Sequence, residues 1–221
     1  GGATGAGVPS GTARGPLYRL AVGAALAGKA EWVHYVDFDR AVHWAGHEPR
    51  TVRSFVRRAR GDEILLVGRT EKAHRSHHRP LYATEAVVNR VLADRLGWSG
   101  RVDFLVPSFV LYRDAARALL RRSRTRDSSV YGEWAALLAT LGPTVAYAEC
   151  GALDWETPDR HRRAVRRLGL AHWRARQETA AEWTLRIAMA GTIVAGFERA
   201  LQRVGPPGVM VRLRGPRSTR V

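Results

Sequence analysis

Two aspartates one residue apart, Asp37 and Asp39, end an apolar run in "VHYVDFDR". On an extended chain residues i and i+2 point the same way, so the pair can face one ligand while Phe38 turns back into the core. Carboxylates this close repel unless a cation sits beside them. Mg²⁺ or Mn²⁺ takes such oxygen donors and bridges to substrate phosphates. Arg40, the next residue, can help to neutralise a phosphate. Two other readings stay open: an Asp of phosphatase type, and turn residues whose carboxylates cap backbone donors.

Further polar groups recur where apolar runs stop. Arg69 and Thr70 follow "ILLVG" and can contact a ligand there. Asp154 and Glu156 flank Trp155 in "GALDWETP" with strand-like spacing, an arrangement in which a sugar can lie on an aromatic ring beside carboxylates; the alternative is a core Trp155 with the two acids as solvated turn residues. His74, His77 and His78 stand at i, i+3 and i+4, a spacing that can place two on a metal. Pro80 and the charges around them favour a solvated loop, with phosphate or acceptor contact as the alternative. Cys150, the only cysteine, is expected to be buried and inert. It leaves no disulfide framework and no Cys-based zinc site. There is no G-x-S-x-G and no phosphate loop ending in G-K-[ST].

The elements that must hold these groups alternate. Helices are expected over Pro16–Ala27, Pro49–Arg60, Thr84–Leu96, Asp114–Arg122, Glu133–Leu141, Asp159–Leu168 and, longest, Glu178–Arg203. Strands are expected over Trp32–Val36, Ile64–Val67, Val102–Val106 and Thr144–Glu149. "ILLV" is apolar throughout, as in a strand covered on both faces. The expected fold is α/β: a mostly parallel central sheet with flanking helices and a long C-terminal helix. Ligands bind outside the carboxyl ends of such strands, where both Asp37–Asp39 and Gly68–Glu71 would lie. Residues 1–15 read as a flexible Gly-rich segment, 16–204 as one domain and 205–221 as a basic, disordered tail. The run "RRSRTRDSS" reads as a mobile polar loop.

The 221 residues suffice for one domain with a core, and the formal charge is +16. Apart from Lys29 and Lys72 all side-chain cations of fixed charge are arginines, which attract phosphates in a nucleotide, a nucleic acid or an anionic surface. Zinc fingers, arginine runs interleaved with aromatics, and a helix-turn-helix are not evident, so nucleic acid is not the favoured partner. No run approaches the roughly 20 apolar residues that span a bilayer. The N-terminal residues carry no charged start or apolar core of a signal peptide, so a cytoplasmic location is expected. Oligomeric state is not legible.

"GPLYRLAVGAALAGKAEWVHYVDFDRAVHW" resembles the middle of a GT-A glycosyltransferase, in which a helix leads into the strand carrying the D-x-D. "ILLVGRTEKAHRSHHRPLYATEAVVNRV" resembles the acceptor-side region of bacterial glycosyltransferase-2-like proteins, and so does "LDWETPDR" followed by a Trp-containing helix. The resemblance extends over most of residues 15–200. It implies sugar transfer from a nucleotide-sugar donor to an unknown acceptor. It also implies Mg²⁺ or Mn²⁺ on Asp37 and Asp39, positive charge from Arg40 and Arg69 with Thr70 beside them, and Glu133 in "YGEWAALL" as the catalytic base. The alternative for Glu133 is an ordinary acid at a helix start.

The chain departs from that family in two places. A strand–helix–strand unit that binds the nucleotide base normally comes first, whereas only a Gly-rich segment precedes Leu17. The expectation is a GT-A domain that is incomplete or weakened in donor binding. Pro107-Ser108-Phe109-Val110 stands where a Gly-rich turn is usual. A second possibility is a non-enzymatic basic protein that binds nucleic acid or anionic surfaces. A third, a phosphatase of the haloacid dehalogenase type, wants Thr or Val where Ala41 stands, with a later Lys and acidic pair that are not in place.

Overall fold

The computed structural model describes residues 14–58, 64–106, 108–141, 144–205 and 210–213. The chain runs α1 (Arg14–Ala27), β1 (Trp32–Val36), α2 (Phe38–His47), α3 (Pro49–Arg58), β2 (Ile64–Arg69), α4 (Glu71–Ser76), α5 (Arg79–Leu96) and β3 (Ser108–Tyr112). It continues through α6 (Arg113–Arg122), α7 (Val130–Leu138), β4 (Thr144–Cys150), α8 (Thr157–Arg160), α9 (Arg162–Leu168), α10 (Leu170–Ala175), α11 (Ala180–Val204) and β5 (Met210–Leu213). The α/β class and the long C-terminal helix agree with the sequence.

The sheet is mixed rather than mostly parallel. Its order is β1-β3-β2-β4-β5. β3 pairs antiparallel with both β1 and β2, while β2–β4 and β4–β5 are parallel. The cause lies in the connection from β2. After α4 and α5 the chain returns to the carboxyl end of β2, where Arg101 and Asp103 bond Arg69. It enters β3 from that end, with Ser108 opposite Val36, and so runs back between β1 and β2. The other four strands share one direction, and the carboxyl ends of β1 and β2 lie on one edge although the strands are not neighbours.

Expected strand Val102–Val106 does not form a ladder. Its backbone donors are taken by side chains: Asp103 N donates to the Tyr147 hydroxyl and Phe104 N to Asn89 Oδ1. The strand begins later, at Ser108. All six residues of β2 are buried. Ile64 and Leu66 enter the core under α1, α5, α6, α7 and α11, whereas Leu65 and Val67 enter a second core with Trp44, Phe55 and Leu153. The period-two alternation of a strand thus serves both faces.

Three loop expectations are replaced by order. The histidine segment forms α4 and the start of α5, with Thr70 capping α4 through Ala73 N. "RRSRTRDSS" is held at Ser123–Thr125 by bonds to Glu133. The expected basic tail supplies β5, which extends the sheet beside β4; residues 214–221 lie outside the described residues, as do 1–13 of the Gly-rich segment. Arg14 and Gly15 already belong to α1. The expected helix Asp159–Leu168 breaks into α8 and α9. Glycine matters most where α7 meets α11: a Cβ on Gly132 would strike the Ile193 carbonyl, and one on Gly196 the Ser129 carbonyl. No helix among the described residues is long and apolar enough to cross a membrane.

Candidate functional site

Asp37 follows β1 and takes the N-cap position of α2, where Asp, Ser, Thr and Asn usually bond a free helix N–H. Its side chain makes no such bond. The carboxylate instead accepts from the Tyr35 hydroxyl at 3.3 Å and lines a cavity of about 430 Å³ together with Asp39, Arg40, Trp155 and Glu156. Burial raises the Asp37 carboxyl to about 6; Arg40 opposes that shift, and the charges of Asp39 and Glu156 add to it. A carboxylate pushed up by desolvation and like charge gains from a bound cation.

Asp39 lies in the first turn of α2, so the two acids are not related by the expected extended geometry. They still line the same two cavities. Asp39 Oδ1 accepts from Arg40 N at 3.0 Å, and Oδ2 lies 3.6 Å from Arg160. Arg40 Nη1 and Glu156 Oε2 are buried, have no hydrogen-bond partner, and stand 3.5 Å apart. His78 Nδ1 is likewise buried without a partner on the cavity wall. Unmet polar atoms buried around an acidic pair are what a bound polar ligand would satisfy.

The acceptor set divides. Trp155 and Glu156 line the cavity, and the Trp155 ring lies 5.1 Å from that of Trp173. Asp154 turns away to His43, 2.7 Å from Nε2. His77 and His78 also line the cavity. Desolvation first, then the Arg69 charge, holds His77 well below its ordinary range. Desolvation and Arg186 lower His78. Both are neutral imidazoles near neutral pH rather than a solvated loop. His74 is buried, with Nε2 3.4 Å from Glu85.

Arg69 is not a ligand contact. It is fully buried. Its guanidinium bonds Asp103 at 2.6 and 3.0 Å and Glu85 at 2.6 Å. Burial penalises the Asp103 charge, but Arg69 outweighs it and holds that carboxyl far below the usual range. Thr70 lines neither cavity and caps α4.

Glu133 is not placed to act as a base at the Asp37 cavity, which it does not line. It is fully buried. Ser123 Oγ and Thr125 Oγ1 each donate to it at 2.8 Å, Arg124 N at 2.8 Å and Arg203 Nη2 at 2.7 Å. Burial raises such a carboxyl, yet these donors win and lower it. Its lone pairs are spent on fixing the 123–125 turn and the end of α11.

Sequence reasoning missed the second cavity of about 920 Å³, walled by Asp37, Asp39, His43, His47, Asp159 and Arg160. Its signal was present: His43 and His47 have the i, i+4 spacing of one helix face, but the helix Phe38–His47 was not anticipated after a D-x-D taken as extended. Phe38 is 84% exposed at the rim and not packed in the core. Comparisons with models of protein families, with curated proteins and with solved structures find no match for this chain.

Proposed function

We propose that the protein is a GT-A-like glycosyltransferase that moves a sugar from a nucleotide-sugar donor to an acceptor hydroxyl, with Mg²⁺ or Mn²⁺ held by Asp37 and Asp39. The observation that carries this reading is the Asp37 carboxylate: half-buried, at an N-cap, yet free of the cap bond and lining a cavity that it shares with Asp39. Oxygen donors and room for phosphate oxygens suit a hard divalent ion. Such an ion would supply charge stabilisation for the departing diphosphate.

The chain's own groups then take roles. Arg40, whose Nη1 has no hydrogen-bond partner although Glu156 stands 3.5 Å away, pairs with a phosphate oxygen. Trp155 supports a sugar face. Glu156 replaces Glu133 as the base: it takes the acceptor proton as the acceptor oxygen bonds the sugar carbon and the bond from that carbon to the diphosphate breaks. Cytoplasmic location belongs to the same reading.

Release of nucleoside diphosphate from a panel of nucleotide sugars with Mn²⁺ tests it. Asp37→Asn and Glu156→Gln should each lower turnover at least about a hundredfold while the proteins stay folded. Turnover untouched by Asp37→Asn would refute the reading. A second reading, non-enzymatic binding of anionic polymers, draws on α9, where Arg162, Arg163, Arg166 and Arg167 are all exposed. Binding of a duplex that falls steeply with salt, with no response to nucleotide sugars, would favour it.

A further inference from the structure

We infer that His43, His47 and Asp159 form a site for a borderline divalent cation of the Zn²⁺ class, separate from the hard-ion site on Asp37 and Asp39. One donor atom from each of the three residues lies within 4.8 Å of the others. His43 and His47 are one turn apart on α2, with ring centroids 4.2 Å apart, and Asp159 comes from α8. Two imidazoles and one carboxylate are the three-ligand set that Zn²⁺ takes when its fourth position is left to water or substrate. That open position would face the second cavity, which all three residues line.

The groups behind the ligands point to a metal independently of their spacing. A metal-bound histidine generally donates its outer N–H to a carboxylate or a carbonyl, which fixes the tautomer and the ring plane. His43 Nε2 is 2.7 Å from Asp154 Oδ1, leaving Nδ1 for the ion. His47 Nδ1 is 2.9 Å from the His43 carbonyl, leaving Nε2. Both rings are thus already oriented. Asp159 Oδ1 lies 3.7 Å from Arg162, while Oδ2 lies 2.7 Å from His43 Nδ1. In the metal-free chain a proton holds that last pair together; the cation takes its place and the proton goes to solvent. Asp39 lies one turn before His43 on α2, so the two cation sites share one helix and one cavity wall.

Carboxylates alone do not select Zn²⁺ over Mg²⁺, whereas imidazoles do. The full chain, dialysed against chelator, is titrated with Zn²⁺ by calorimetry in two buffers of different ionisation heat, and with Co²⁺ by visible absorption. The expected result is one Zn²⁺ per chain, proton release on binding, and a Co²⁺ ligand-field band. His47→Gln, at an exposed position, and Asp159→Asn should each weaken binding at least tenfold. Asp154→Ala should cost roughly ten- to a hundredfold through the lost outer bond. Asp37→Asn should leave Zn²⁺ binding intact, which separates this site from the proposed transferase metal. Absence of a Co²⁺ band, or Zn²⁺ binding that His47→Gln and Asp159→Asn leave unchanged in folded protein, would overturn the inference and leave His43 as an ion-paired imidazolium.

Discussion

The Tyr35 hydroxyl donates to Asp37 Oδ1 at 3.3 Å, across the last turn of chain between β1 and α2. Tyr35 is buried against Phe109, with stacked rings 5.0 Å apart, so the donor is fixed by the core. This bond pulls the Asp37 carboxyl down against burial. Tyr35→Phe removes it and keeps the ring. The apparent pKa of Asp37 should rise, and Mn²⁺ affinity at pH 6 should drop severalfold while affinity at pH 8 changes little. Carboxyl NMR titration and Mn²⁺ relaxation measurements check both.

Asp37 also sets a pH dependence. Its folded-state pKa of about 6 lies above the unfolded value of about 3.9. Between these values the folded chain holds the extra proton, so this group makes stability fall as pH rises from about 4 to 6, with no further change above. The difference in unfolding free energy between wild type and Asp37→Asn should follow that slope. Mn²⁺ competes with the same proton, so its affinity should rise about tenfold per pH unit up to 6 and then level off.

Glu133 and Glu156 should separate cleanly. Glu133→Gln leaves donors from Ser123, Arg124, Thr125 and Arg203 partly unmatched and should cost about 1–3 kcal/mol of stability without changing Mn²⁺ affinity. Glu156→Gln should also lower the melting temperature, because it strips Arg40 of its ion-pair partner 3.5 Å away. Unlike Glu133→Gln it should weaken Mn²⁺ binding, since it removes a negative charge that acts on Asp37. Thermal unfolding beside Mn²⁺ titration of both variants distinguishes the roles.

Arg69→Met strands Asp103 and Glu85 in the interior. Breaking a buried pair by removing one partner costs about 3–5 kcal/mol, and denaturant unfolding should show it. Gly132→Ala should cost about 1–3 kcal/mol through overpacking against the Ile193 carbonyl of α11.

The sequence conveyed the helices and strands whose apolar period was long or unbroken: α1, β1, α5, α6, β4 and α11 sit close to where their patterns place them. It did not convey β3, because Val102–Val106 is as apolar as a strand, yet its N–H groups are claimed by Tyr147 and Asn89 from elsewhere in the fold. Nor does local pattern announce an antiparallel strand between β1 and β2. At the site, Asp37, Asp39, Arg40, Trp155 and Glu156 were legible and converge on one cavity. Arg69 was misleading: a strand-end arginine reads as a ligand contact until Asp103, 34 residues later, is seen to bind it. Glu133 misled in the same way, since its partners Ser123 to Thr125 lie in a segment that reads as loose.

The central claim is that Asp37 and Asp39 hold a divalent ion that in turn holds a diphosphate. Calorimetric titration of the protein with a nucleoside diphosphate, with and without Mn²⁺, tests this most directly. The account predicts binding only with Mn²⁺, and its loss in both Asp37→Asn and Asp39→Asn. Binding of equal strength without the ion, or unchanged in those two variants, would contradict it.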